Sequence, residues 1–274
     1  MSAQIICVHT SKGGTGKSTI TTILASYLTY ELSKRVLVID ADAPQFSIDS
    51  LRHREQTIYQ NISQKCQDFD EVKKALFASQ LSVADQAIYE RYRHNQQRRI
   101  TDFYPIYTVE QSELDELDIE KISDSYDYVF FDLGGRFDES IVRTLRFADL
   151  VLVPFTTQNI DVMASLEYCL TLADHVKQGH LSDSTQFYCF WNKYKFTFQK
   201  KAELIELQLK TKFAAKGISF DFLETRLNDA DSGFDRAKMW TTISSPILFK
   251  GGQYLNGIAR FTEEVIKLSN YQNS

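Results

Sequence analysis

Short apolar runs recur along this chain, each followed by a stretch whose apolar positions fall three or four residues apart. Ile5-Ile6-Cys7-Val8 is the first run, and after Ser18 the residues Ile20, Ile23, Leu24, Tyr27, Leu28 and Leu32 keep a helical period. Further runs read as strands over Arg35 to Asp40, Tyr104 to Thr108, Tyr128 to Asp132, Leu150 to Phe155, Gln186 to Trp191 and Ile218 to Leu223. Between them lie helical patterns such as Ile160 to Val176 and Lys200 to Lys216. Apolar strands alternating with helices predict an α/β fold, a mostly parallel twisted sheet of about seven strands with helices on both faces.

The stretch 49–101 interrupts this alternation. It is polar, has helical spacing and ends in Gln96-Gln97-Arg98-Arg99, which predicts a helical insertion or lid within a single domain spanning 1–274. No internal repeat or low-complexity linker divides the chain. In the acidic stretch from Glu110, Ser112 three residues before Asp115 reads as a helix start.

Composition narrows the function classes. The 274 residues carry 31 basic and 36 acidic side chains, a formal charge of −5, so there is no overall pull toward nucleic acid or anionic membrane. The distribution is uneven: Glu110 to Asp127 has a net charge of −7, with eight acids against one lysine, and Lys193 to Lys216 a net charge of +5, with seven lysines against two glutamates. The four cysteines lie far apart with no C-x-x-C, which argues against zinc and disulfides and fits a reducing cytoplasm. No H-E-x-x-H occurs among the five histidines. The N-terminus lacks signal-peptide character, and no apolar run approaches the ~18 residues of a membrane span, so a soluble cytoplasmic protein is expected.

The chemistry concentrates in Lys12-Gly13-Gly14-Thr15-Gly16-Lys17-Ser18. A phosphate-binding loop follows G-x-x-x-x-G-K-[ST], and here Ser11 stands at the first glycine. Three glycines still free the backbone to turn its N–H groups toward phosphate, and the following helix points its positive end there. Lys17 would reach the β/γ-phosphates of ATP and the Ser18 hydroxyl would ligate Mg²⁺. Lys12 has no role in a site of this kind. Two apolar strands run into acids, at Asp40-Ala41-Asp42 and at Asp132, where ligands of a doubly wound sheet sit. A carboxylate there needs a cation or donors. Asp132 reads as the acid that holds Mg²⁺ through water, Asp40 as a holder of the metal's water shell, and Asp42 as the group that orients the attacking water.

Lys12 to Thr19, Asp40-Ala41-Asp42 and the strand ending in Asp132 together resemble the deviant-Walker ATPases of the ParA/MinD family. Ala148-Asp149 before the strand Leu150 to Pro154 fits the same resemblance, whereas Gly134-Gly135 stands where the family usually has prolines. The resemblance implies that Asn192 reads adenine and that two subunits sandwich two ATPs, with Lys12 reaching across to the partner's phosphates. A trans-acting arginine gives roughly 10³–10⁵ in rate, and less is expected of Lys12, since the family turns over slowly until a partner stimulates it. It also implies a homodimer formed on ATP binding, an adaptor or stimulating protein of ParB type, and nucleoid association. Asp42 to Ile48, Phe190-Trp191-Asn192 and Phe249-Lys250-Gly251-Gly252 are similar to ParA-like proteins of Bacteroides conjugative transposons, the TraA type, which implies a role in segregating, positioning or transferring a mobile DNA element.

Lys193, Lys195, Lys200 and Lys201 lie where ParA proteins place basic residues, and they form a candidate surface for nonspecific DNA through phosphate neutralisation. The run Phe187 to Trp191 reads as a buried strand rather than a stacking platform for bases. Arg136 reads as a solvated loop residue, with a phosphate-sensing role as the alternative. The tail from Phe261 has Val265, Ile266 and Leu268 at helical spacing, but Glu263-Glu264 and the polar end Tyr271 to Ser274 oppose a membrane anchor of the MinD kind. Two other functions share this fold: a metabolic enzyme of the dethiobiotin-synthetase kind, in which no lysine in the Lys12 role is expected, and a MinD-like positioning factor.

Overall fold

Seven strands line up in one sheet in the order β3-β2-β4-β1-β5-β6-β7, and every pairing is parallel. They are β1 (Gln4–Val8), β2 (Val36–Ala41), β3 (Ile106–Thr108), β4 (Tyr128–Leu133), β5 (Leu150–Phe155), β6 (Gln186–Trp191) and β7 (Phe220–Phe222). The computed structural model describes residues 2–215, 218, 220–228, 240–246 and 253–270. Successive side chains of a strand point to opposite faces, so the central strands feed two cores at once. Cys7, Ile39, Val129, Phe131 and Val151 enter one, whereas Ile6, Val8, Val38, Phe130 and Leu152 enter the other. This explains why those strands read as unbroken apolar runs.

The second core is covered by α1 (Lys17–Tyr30) and by the last described helix, α9 (Gln253–Asn270). Phe190 and Phe261 meet with ring centroids 5.0 Å apart, and Ile258 and Val265 are buried beside them. The apolar face of the tail therefore packs inward. No helix among the described residues is long and apolar enough to cross a membrane.

The stretch 49–101 holds most of α2 (Ser47–Gln67), with α3 (Glu71–Ser79) and α4 (Val83–Arg98). Ile62, Cys66, Ile88 and Tyr89 pack with Ile243. Polar anchors add to this: the Glu55 carboxylate accepts from the Arg91 guanidinium at 2.8 Å and from the Thr242 N–H at 2.8 Å, and Arg52 donates to the carbonyls of Tyr104 and Thr242. Removing one partner of such a buried pair leaves an uncompensated charge.

The boundaries shift where local chemistry intervenes. β3 begins later than Tyr104, because Pro105 has no N–H for the ladder and only its carbonyl accepts, from Val38 at 3.1 Å. In place of a helix from Ser112, a 3₁₀ turn occupies Gln111–Glu116 and α5 (Ile119–Ser125) begins at Asp118, whose carboxylate accepts from Lys121 N at 3.1 Å. The remaining helices are α6 (Glu139–Leu145), α7 (Asn159–Lys177) and α8 (Gln199–Ala214). Lys216, the end of a helix expected from the sequence, Phe249 to Gly252, and Tyr271 to Ser274 lie outside the described residues.

Truncating Phe261 to Ala should cost about 3–5 kcal/mol, as for other large core deletions. Denaturant unfolding would measure this, and a loss below about 1 kcal/mol would show that α9 contributes little to the core.

Candidate nucleotide site

Between β1 and α1 the backbone makes two left-handed turns, at Gly14 (φ 77°) and Gly16 (φ 94°). Glycine is also needed at 16 for space: a Cβ there would lie 2.5 Å from Asn192 Nδ2. Asn192, at the end of β6, donates from Nδ2 to the Thr15 carbonyl at 2.7 Å, and its Oδ1 accepts from Lys193 N at 3.0 Å. Lys193 takes a positive φ of 51° and donates from Nζ to the Gly14 carbonyl at 2.6 Å. Two consecutive residues just after β6 thus hold the carbonyls of Gly14 and Thr15.

Lys17 is buried, and its Nζ donates to the Lys12 carbonyl at 3.4 Å. Burial pulls its pKa down, while the nearby Asp132 and Asp42 push it back up. Asp132 lies opposite Asp40 across the β2–β4 register, fully buried, with neither oxygen hydrogen-bonded in good geometry. Burial pushes its pKa up to about 8; Ser18 and Lys17 lower it, and Asp40 and Asp42 raise it. A buried carboxylate with two unpartnered oxygens beside a hydroxyl fits a hydrated Mg²⁺, which keeps most of its waters and takes phosphate oxygens. Among the described residues no three His, Cys, Asp or Glu side chains converge as a metal cluster.

Asp40 is tied to the backbone. Its Oδ2 accepts from the N–H groups of Ile48 at 2.9 Å and Asp49 at 3.0 Å, and its Oδ1 from Asp42 N at 3.4 Å. These bonds anchor the turn into α2. Asp42 lies half-buried at the cavity wall, where a Cβ on Gly134 would come within 3.1 Å of its Oδ1.

Gly14, Gly16, Lys17, Asp42, Asn192 and Lys193 line a cavity of about 480 Å³ that also takes in Gly13, Ser18, Thr19 and Gly135, whereas Asp40 and Asp132 are buried behind its wall. Its remaining wall was not legible in the sequence. Ile23, Leu227, Trp240 and Ile258 form an apolar end, and Gln45, Arg226 and Asn228 add polar groups. Trp240 is oriented by donating from Nε1 to Thr22 Oγ1 at 3.0 Å. A lining that combines apolar side chains with a glycine loop and a lysine suits a base joined to phosphates.

A family model described as an AAA domain (AAA_31) matches residues 3–181, from β1 through α7. The chain belongs to the ParA/MinD family of ATPases. The chain is also 25% identical over 237 residues to a replication protein A from Rhizobium rhizogenes, with 81% of this chain covered; it spans 58% of the length of that relative. A plasmid partition protein from Borrelia burgdorferi shares the fold at a TM-score of 0.52 and 19% identity, over 97% of this chain and 99% of that one. So does pNOB8 ParA bound to nonspecific DNA, at 0.55 and 17%, over 98% and 99%.

Two features bear on what a ParA/MinD ATPase would do with its surplus lysines. Lys12 is 41% exposed and points its Nζ toward Asp161 at the start of α7, 4.0 Å away, rather than into its own loop. The four lysines read as DNA contacts differ in their surroundings. Lys193 belongs to the nucleotide cavity, and Lys201 bonds to Asn159 and lies 5.2 Å from the Phe198 ring. Lys195 and Lys200 are exposed. Lys200 and Lys201 occupy the first turn of α8, where cations oppose the helix dipole. The aromatic strand is core: Phe187, Phe190 and Trp191 are buried, and Trp191 stacks on Phe222 at 5.6 Å.

The raised pKa of Asp132 has a definite sign. Between the ordinary value of 3.8 and about 8, the folded chain keeps a proton that the unfolded chain has released, so stability falls as pH rises through that window. Asp132→Asn lacks this proton loss. In metal-free protein its advantage in melting temperature over wild type should grow between about pH 5 and pH 8. Parallel melting curves across that range would show that the carboxylate is not desolvated.

Proposed function

We propose that this protein is an ATP-dependent dimerisation switch of the ParA type. ATP would bind in the cavity with its phosphates on the glycine loop, Lys17 meeting the β- and γ-phosphates. Mg²⁺ held by Ser18 and, through water, by Asp132 would offset the phosphate charge. Asp42 would orient the attacking water, since it stands at the cavity wall with its carboxylate against the Gly134 backbone. Asn192 would serve the base end while keeping its bond to Thr15, because its amide retains a second hydrogen and its oxygen a second lone pair.

The observation that carries this reading is the direction of Lys12. Its own site already has Lys17, and its ammonium lies outside that site beside Asp161. A cation so placed is available to a second subunit's phosphates. The Lys12–Asp161 contact is partly exposed and is worth at most about 1 kcal/mol, so it would yield readily to a phosphate. Size-exclusion with light scattering, with ADP and with ATP, tests the switch. A dimer should form with ATP, be trapped by Asp42→Ala and be impaired by Lys12→Ala. A monomer under every condition would overturn it.

The dimer would bind DNA nonspecifically and so associate with the nucleoid, carrying a mobile DNA element for segregation, positioning or transfer. A ParB-type adaptor would stimulate hydrolysis and release it. The solved complex of pNOB8 ParA with nonspecific DNA supports the DNA step. Lys193, Lys195, Lys200 and Lys201 are the proposed contacts, of which Lys193 also bonds to the glycine loop and Lys201 to Asn159. Binding should require ATP and weaken steeply with salt, and Lys200→Glu/Lys201→Glu should weaken it at least about tenfold. Unchanged affinity in that variant would move the DNA surface elsewhere.

A further inference from the structure

The residue that directly follows β1, two positions before Ser11, is a histidine to which the site reading above gives no part. His9 is fully buried and bridges two distant elements. Its Nε2 lies 2.8 Å from the Gly134 carbonyl oxygen and its Nδ1 lies 2.6 Å from the Tyr168 hydroxyl on α7. A carbonyl can only accept, so Nε2 carries the proton and donates to Gly134. In a neutral imidazole Nδ1 then has a bare lone pair and accepts from the Tyr168 O–H. Burial pushes the His9 pKa down to about 3, and Lys17 adds to that, so the ring stays neutral and this tautomer is the one in place.

The held loop matters because of what it touches. A Cβ at Gly134 would come within 3.1 Å of Asp42 Oδ1, and one at Gly135 within 3.4 Å of Lys17 Nζ and 3.6 Å of Gly13 N. Three residues on, Phe137 packs edge-on against Tyr168 with centroids 5.3 Å apart. The loop between β4 and α6 is thus pinned twice on the His9–Tyr168 pair, with its glycines directly against the two side chains read as hydrolytic.

We propose that His9 is a positioning residue whose Nε2–H bond to the Gly134 carbonyl sets the β4–α6 loop against Asp42 and Lys17, with Tyr168 fixing the tautomer. This rests on the reading of Asp42 and Lys17 as the groups that carry hydrolysis. Without the bond, the loop loses its fixed distance to Asp42, while the glycine loop that grips phosphate is still clamped from Asn192 and Lys193. The loss should therefore fall on turnover more than on ATP affinity.

Three variants and a resonance measurement test this. His9→Leu removes the donor at similar volume, His9→Gln can restore an N–H near the Nε2 position, and Tyr168→Phe releases the tautomer. ATP turnover should fall about tenfold in His9→Leu, in line with a lost buried hydrogen bond, while ATP affinity changes by less than about threefold. His9→Gln should recover most of the turnover, and Tyr168→Phe should lie between. Equal turnover in the Leu and Gln variants would overturn the proposal, as would a loss of affinity that matches the loss of turnover. In nucleotide-free protein, imidazole ¹⁵N spectra should show the Nε2–H tautomer, and the Gly134 carbonyl ¹³C resonance should move in His9→Leu. An Nδ1–H tautomer, an imidazolium at neutral pH or an unmoved carbonyl would equally overturn it. Should wild type turn over no ATP, the ATPase reading fails, and the resonance measurements alone decide the latch.

Discussion

Lys17 and Asp132 are both buried beneath the glycine loop, and the arrangement around them follows from the cost of holding charge there. An all-parallel sheet brings the carboxyl ends of β1, β2, β4 and β6 to one edge, so the loops that leave those ends must converge. Two of the strands end in acids, and the buried lysine is tolerated because it lies near them. Neither charge is fully compensated within the protein. Asp132 keeps two unpartnered oxygens, while Lys17 has a long contact to a carbonyl and more distant carboxylates. An environment of this kind suits a phosphate-bearing ligand, whose negative oxygens would meet Lys17.

The backbone around this pair is held with little dependence on the ligand. Asn192 and Lys193 grip the carbonyls of Thr15 and Gly14, Asp40 gathers three N–H groups at the turn into α2, and His9 reaches the loop after β4. Each of these residues turns a strand end toward a neighbouring loop. The site is built from such lateral ties between loops more than from the loops' own conformational preferences.

Much of the fold was legible in the chain, since doubly buried strands leave a pattern that needs no partner to be read. Leu150–Phe155 and Gln186–Trp191 begin and end where their apolar runs do. Boundaries drifted where one backbone atom decided them, as Pro105 does for β3. The glycine loop, Lys17, Ser18 and Asp42, singled out by residue type in the chain, do line one cavity, with Asp132 buried near Lys17 and Ser18. What the sequence could not give is chemistry assembled across long separations. His9 finds its partners 125 and 159 residues away, and nothing beside it in the chain marks it as special. Lys193 looked like one more surface lysine until its positive φ turned the side chain back onto Gly14. Asp40 and Asp42 differ by two positions and share a motif, yet one is an anchor and the other faces the cavity.

The cavity's walls come from opposite ends of the chain. The glycine loop is the first turn after β1, whereas Trp240 and Ile258 belong to the last described stretches, the latter to α9. A base lodged among Ile23, Leu227, Trp240 and Ile258 would add to the contacts that already join the two ends, the shared core of α1 and α9 and the Trp240–Thr22 bond. Nucleotide occupancy and the global stability of the chain are then one thermodynamic quantity. At a hundred times its dissociation constant, a ligand bound only to the folded state adds about 2.7 kcal/mol. In a cell, the nucleotide supply would therefore help set how much of this protein stays folded, and not only how often it turns over.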